Sequence, residues 1–249
     1  VRFALVLNYG AKKSKFVPTY FEQRFDNKNV IKSLSFDKNG EKISLVGQVD
    51  RVDVLTTSEN SKYFRIIDYK TGDVDTSLSE LFFGKKVQLD AYKKVVQESL
   101  KIPCAGGYYF PIKSTFVDSK KGDYESYKMK GSTLQDDEVV LASDCDIEKN
   151  RASDLVEVKL KGQEGLEYSG YSKLATKDDF YNYSNYAISL IDRAIDDINK
   201  KNITPSPLVL GSFDACKRCH FAGLCRFDKS CGNYKRNPKI KVEKKDFEG

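Results

Sequence analysis

Asp50, Asp68 and Lys70 are the residues of this chain best suited to do chemistry together. They lie in Gly47-Gln48-Val49-Asp50-Arg51 and in Asp68-Tyr69-Lys70. Two carboxylates and an ammonium in one place would hold a hard divalent cation and orient an activated water. Singly they say little. Asp-x-Lys is common, a surface cross-strand ion pair accounts for it, and Asp50 could pair with Arg51 or Lys70. Position sharpens the reading. Ile66-Ile67 reads as buried and Asp68 follows at once at the strand end. A carboxylate at the mouth of a buried strand is costly unless paired or metal-bound. A third motif, Gln88-Leu89-Asp90-Ala91-Tyr92, sets an amide and a phenol four residues apart, on one helix face. Such a pair can hold a phosphate oxygen and a base or sugar; taken alone it also reads as a half-buried Tyr in an amphipathic helix.

The elements that must position these residues are legible as patterns. Lys42-Ile43-Ser44-Leu45-Val46 alternates and then runs apolar, which predicts a strand leading into Asp50 and on through Val52 and Val54. A polar turn from Thr56 to Lys62 precedes a return strand, Phe64 to Ile67, ending on Asp68 and Lys70. With the hairpin centred near Glu59, Asp50 and Asp68 fall opposite each other. Asp68 and Lys70 then share one face. Thr71-Gly72-Asp73 is a turn. Leu89, Tyr92, Val96 and Leu100 predict a helix over 85–100, and Gly106-Gly107-Tyr108-Tyr109-Phe110 the next core strand. Upstream, residues 1–41 are expected to hold an entry strand, with Phe3 to Leu7 apolar, a loop, and the turn signal Asn39-Gly40. Residues 117–170 are polar and β-leaning, with Val139-Val140-Leu141 and Leu155-Val156-Glu157-Val158 as short strands. Thr176 and Asp179 form a capping box for a helix to about Lys200. Its apolar face is Phe180, Tyr183, Ala187, Leu190, Ala194 and Ile198. Thr204-Pro205-Ser206-Pro207 ends that helix and leads an extended segment to Cys216. The architecture is α/β, a small mixed sheet flanked by helices.

Composition bounds the function. The 249 residues suit one sizeable domain, and 40% hydrophobic residues are ordinary for a globular chain. No apolar run approaches the roughly 18–20 residues of a membrane span, so no membrane partner is expected. The chain opens on Val1 without a signal-peptide pattern, which suggests a piece of a longer protein. A net charge of +6 suits a polyanionic partner. The fifteen Tyr and fifteen Phe would supply stacking for single strands, though most belong to the core. No Gly-x-x-x-x-Gly-Lys-Ser/Thr occurs, so ATP is not bound in that way. Cys216, Cys219, Cys225 and Cys231 crowd one short segment. In a reducing compartment such clustering favours a metal over disulfides. Zinc would accept four such thiolates, or three plus His220, and a 4Fe–4S cluster also takes four. Cys104 and Cys145 are isolated and read as inert.

The succession Gly-x-x-Asp-Arg, Asp-Tyr-Lys-x-Gly, Gln-x-x-x-Tyr resembles the PD-(D/E)XK nucleases of the RecB-like branch. The Cys-x2-Cys-x5-Cys tail is similar to that of the AddB/RexB iron–sulfur nuclease domains, and Glu22 to Phe25 resembles the Glu-x-x-Phe segment ahead of their core. The resemblance covers nearly the whole chain and is weakest over 117–173. It implies a restriction-endonuclease-like core in a single nuclease domain spanning 1–249, with 204–231 as a Cys-rich segment. It implies a Mg²⁺- or Mn²⁺-dependent DNA exonuclease of a bacterial, cytoplasmic helicase–nuclease acting in double-strand-break repair, with an AddA-like protein as partner. Asp50, Asp68 and the Tyr69 carbonyl would bind the cation. Lys70 would orient water or neutralise phosphate, and Gln88 and Tyr92 would position the strand. Glu22 is a candidate extra carboxylate.

The resemblance also tips the cysteines towards iron and sulfur. Cys216, Cys219 and Cys225 match the family's tail ligands. The family's fourth ligand lies far upstream, whereas no cysteine here precedes Cys104; Cys231 is the substitute at hand. Many RecB-like nucleases also carry a ligand His on a helix ahead of the core, and the only histidine here is His220. The rival readings are a stand-alone iron–sulfur exonuclease of the CRISPR-adaptation type, an inactive DNA-binding or scaffold domain, and a zinc-ribbon interaction module.

Overall fold

The computed structural model describes residues 2–72, 74, 76–112, 127–225, 227, 236, 238 and 241–248. Helix α1 (Arg2–Lys13) is followed by strand β1 (Val17–Phe25), a short hairpin β2 (Leu34–Lys38) and β3 (Glu41–Leu45), and a long hairpin β4 (Gly47–Thr56) and β5 (Lys62–Lys70). Helices α2 (Leu78–Phe82) and α3 (Gln88–Leu100) cross over to β6 (Cys104–Pro111). Then come β7 (Lys130–Leu134), α4 (Asp137–Ser143), α5 (Ile147–Asn150), β8 (Leu174–Ala175) and the long α6 (Lys177–Asn199). A small hairpin, β9 (Val209–Leu210) and β10 (Phe213–Asp214), leads to α7 (Ala222–Cys225).

The main sheet has six strands in the order β1-β4-β5-β6-β7-β8. The β5–β6 and β7–β8 pairs are parallel and the others antiparallel. A parallel β5–β6 pair requires a crossover, and α2 and α3 supply it. On one face Val52, Phe64, Ile66 and Tyr109 pack under Leu89, Val95 and Val96 of α3 and Phe180 of α6. On the other, Ile67, Tyr108 and Phe110 pack with Val6 of α1, Val140 of α4 and Met129. The second face also buries Asp53 completely, between Arg51 Nε at 2.6 Å and Arg65 Nη2 at 2.9 Å. That ion network ties β4 to β5 in the register the first face needs.

Several sequence expectations are corrected. Phe3 to Leu7 lies on α1, not on a strand; its last turn carries Lys12 and Lys13, which complement the helix dipole. The strand through Lys42 to Leu45 does not run on into Asp50. Asn39 and Gly40, at φ 56° and 83°, turn β3 back onto β2 alone. The chain then re-enters the main sheet at Gly47, so close over Phe25 that a Cβ there would sit 2.5 Å from the ring. Val139 to Leu141 is helical, because the Asp136 side chain accepts the Val139 N–H at 3.2 Å and caps α4. Leu155 to Val158 makes only isolated bridges, since Ser153 Oγ accepts the N–H groups of Leu155 and Val156. The expected helix from Lys85 starts at Gln88, behind the unforeseen α2. The capping box of α6 is present, but burial stops after Ala187, and Ile198 is 73% exposed. Asp73, 117–126 and Cys231 lie outside the described residues.

Candidate active site

The β4–β5 ladder runs from Thr56↔Lys62 to Arg51↔Ile67. Asp50 and Asp68 stand across from each other one step beyond it. There the main-chain pairing gives way to a side chain: the Tyr69 N–H donates to the Asp50 carboxylate at 2.8 Å. Amide and carbonyl of one strand residue face the same strand edge, so the Tyr69 carbonyl also faces the Asp50 side.

Asp68 is 1% exposed and Asp50 is half-buried. Lys70 Nζ lies 2.5 Å from Asp68 Oδ2 and donates to Gln88 Oε1 at 3.3 Å. Gln88 Nε2 in turn donates to the Tyr92 hydroxyl at 2.8 Å. A continuous polar chain thus runs from sheet to helix, joining the second motif to the third. Tyr92 is steadied by an edge-on contact with Phe25 of β1, ring centroids 5.6 Å apart.

Burial pushes the Asp68 carboxyl above the usual carboxylate range; the Lys70 ammonium opposes this and the Asp50 charge adds to it. Tyr109 is paired with Asp68 across β5–β6, and Lys70 and Lys86 lie 5.7 and 5.6 Å from its ring centre. Its phenol is pushed up by burial and then by Asp68, Asp90 and Glu80.

The donor set fits a hard cation. Asp68 Oδ2 is buried with an ion pair but no hydrogen-bond partner, and Asp50 brings a second carboxylate to the same strand ends. Two carboxylates plus water suit Mg²⁺, which takes few protein ligands. Among the described residues no three His, Cys, Asp or Glu side chains converge on a metal-sized point. Glu22 therefore does not join Asp50 and Asp68 as a third in this arrangement. It stands across β1–β4 from Asp50, between the pairs Phe21↔Arg51 and Gln23↔Val49, at φ 46°, and its exposed carboxylate takes the Gln48 amide.

Cys216, Cys219 and Cys225 occupy successive turns: Cys219 N–H donates to the Cys216 carbonyl at 3.3 Å, and Ala222 N–H to that of Cys219 at 3.2 Å. They are soft donors close in sequence, but their thiols are not gathered to one point. Cys104 is buried and its thiol is pushed up to about 11 by burial, which fits its reading as inert.

Sequence reasoning missed Glu80, Lys85, Lys86 and Tyr109, which also line this region. Ser77-x-x-Glu80 had the form of a capping box. Glu80 instead turns to Lys85 and Lys86.

The family profile of the PD-(D/E)XK nuclease superfamily matches residues 2–226. The chain belongs to this superfamily. Its six-stranded mixed sheet with flanking helices is the restriction-endonuclease-like core of these nucleases. The chain is 32% identical over 266 aligned positions to the B-type subunit of the ATP-dependent helicase/deoxyribonuclease of Clostridium novyi (strain NT), covering 100% of this chain and 23% of that protein. The same-named protein of Oceanobacillus iheyensis is 33% identical over 259 positions, covering 96% and 22%. That of Alkaliphilus metalliredigens (strain QYMF) is 31% identical over 234 positions, covering 88% and 20%. The chain thus spans about a fifth of the length of these relatives. Among the described residues no helix is long and apolar enough to cross a membrane.

Proposed function

We propose that this chain is the nuclease domain of a B-type helicase–deoxyribonuclease protein, hydrolysing phosphodiester bonds of DNA as an exonuclease. The observation that carries the reading is the meeting of Asp50, Asp68, Lys70, Gln88 and Tyr92 at one sheet end, in a chain of the PD-(D/E)XK superfamily. Asp50, Asp68 and the Tyr69 carbonyl would hold Mg²⁺ or Mn²⁺, which lowers the pKa of a bound water and stabilises charge on phosphorus. Lys70, fixed between Asp68 and Gln88, points its remaining donor capacity at the attacking water or a phosphate oxygen. Gln88 and Tyr92 orient the strand. Water adds to phosphorus, the ester P–O bond breaks, and the leaving oxygen takes up a proton. None of these groups reads a base, so cleavage is sequence-tolerant.

By the names of its relatives the domain serves a bacterial, cytoplasmic helicase–nuclease in DNA break repair, with an AddA-like protein as partner and DNA ends as substrate. Cys216, Cys219 and Cys225, with Cys231 as fourth candidate, are assigned as thiolates of a 4Fe–4S cluster in the 204–231 segment. The cluster is structural and takes no part in hydrolysis. Anaerobic iron and acid-labile sulfide analysis tests it; stoichiometric zinc without sulfide overturns it. The nuclease reading is tested by incubating the purified chain with linear DNA and Mg²⁺ or Mn²⁺. Cation-dependent release of nucleotides supports it, and inert DNA under both cations refutes it.

A further inference from the structure

Beside the catalytic residues the surface forms one continuous groove in two sections. The first, about 570 Å³, is lined by Lys70, Gln88, Tyr109, Lys85 and Lys86. The second, about 1150 Å³, shares Lys85 and Lys86 and runs on to Phe213 and Arg218 of the C-terminal segment. Four cationic side chains, Lys70, Lys86, Lys85 and Arg218, therefore follow one path away from Asp68. Glu80 is the carboxylate on that path. It is 5% exposed, and its carboxylate pairs with the ammonium groups of Lys85 and Lys86, the latter at 2.6 Å. Its Oε2 has no hydrogen bond. Lys85 also lies over the Phe213 ring, 4.7 Å from its centre.

We propose that this groove is a second subsite for one strand of DNA, in which Lys85 and Lys86 bind backbone phosphate, Phe213 stacks a base and Arg218 takes the next phosphate. The proposal rests on the nuclease reading above and deepens it. Glu80 is the built-in counter-anion. In the free protein it holds both ammonium groups at the groove wall, where an incoming phosphate competes for them. As Lys85 moves to phosphate it uncovers the Phe213 face, so backbone binding and base stacking are coupled. A single strand fits this arrangement because a paired base cannot leave its stack to meet the ring. Two facts argue against a merely structural Glu80–lysine cluster. Both lysines are about one-quarter exposed at the side chain, 24% and 27%, and both face the groove that reaches the catalytic residues.

The test uses the whole chain without divalent cation and a fluorescein-labelled oligothymidine of roughly a dozen nucleotides, within the site sizes of single-strand binders. Glu80→Gln frees both lysines while keeping the side-chain shape, and affinity should rise several-fold. The charge-matched triple variant Glu80→Gln/Lys85→Gln/Lys86→Gln leaves no buried charge unpaired. It should bind more weakly, with a salt slope shallower by roughly 0.7 for each lysine removed. Phe213→Ala should lose about tenfold, the effect of one stacked base, and no affinity on an abasic strand. A Glu80→Gln chain that binds no tighter, a triple variant with an unchanged salt slope, or a duplex bound as tightly as the single strand would each overturn the subsite. If these results come from a wild-type chain that still degrades DNA with Mg²⁺ or Mn²⁺, the subsite fails and the nuclease reading stands. A wild-type chain that neither binds nor cleaves refutes both.

Discussion

Asp50 accepts the main-chain N–H of Tyr69 at 2.8 Å, two residues past the last β5 partner in the β4–β5 ladder. The carboxylate replaces the carbonyl that a continuing ladder would have offered. It is thereby fixed beside Asp68 by the same contact that ends the hairpin. This double role makes Asp50 and Asp68 one unit, and the first prediction follows from it. Asp68→Ala should abolish DNA cleavage, by on the order of 10³-fold or more, because a cation ligand is lost rather than a binding contact. Circular dichroism should show a folded chain. Normal cleavage by the folded variant contradicts the assignment.

The pH dependence has two opposite signs. Burial raises the Asp68 pKa, so the folded chain holds that proton more tightly than the unfolded chain does. The associated stability is fully present below the unfolded pKa, about 3.9, and is lost as pH rises through the higher folded value. Asp68→Asn cannot ionise. It should therefore melt at or above the wild-type temperature at neutral pH, with the difference vanishing in acid. Cleavage by the wild type should instead rise with pH as Asp68 ionises. Thermal melts across pH check the first sign; an Asn variant less stable at neutral pH than in acid, relative to wild type, contradicts it.

Gln88 does not touch a cation. It holds Lys70 at 3.3 Å and is itself held by Tyr92. Gln88→Leu should lower cleavage by about 10–100-fold, the usual effect of losing a partner that orients a reacting group. The loss should appear in kcat more than in KM, measured on a short DNA substrate. Unchanged kcat would remove Gln88 from the positioning chain.

On the opposite sheet face, Asp53 is fully buried between two guanidinium groups. Asp53→Ala strands Arg51 and Arg65 and should cost about 3–5 kcal/mol of stability, as for other broken buried ion pairs. Urea denaturation measures this. A loss under about one kcal/mol would show that β4 and β5 keep their register without the network.

DNA affinity should be electrostatic and fall steeply as salt is raised, with little preference among sequences. Titrations of one labelled strand at several salt concentrations check it. Binding that ignores salt would place the contacts elsewhere than Lys70, Lys85, Lys86 and Arg218.

The amino-acid sequence by itself determined the hairpin register and the site it creates. Alternation along Val52, Val54, Phe64 and Ile66 sets which residues are buried, and a symmetric turn about Glu59 then leaves one partner for Asp50. The spacing of Gln88 and Tyr92 likewise decided their shared face, because a helix repeats every 3.6 residues. Tertiary structure decided what no period encodes. Lys42 to Leu45 had the pattern of a strand, but its partner, β2, was a matter of where Asn39-Gly40 turned the chain. Val139 to Leu141 had strand composition, yet one cap from Asp136 made it helix. The union of Lys70 with Gln88 needed the crossover to lay α3 over β5. The Glu80–Lys85–Lys86 cluster beside Phe213 needed residues far apart in the chain to meet. Local patterns report short-range sterics and burial periodicity, whereas these contacts depend on long-range closure, whose entropy is repaid only once the whole core has formed.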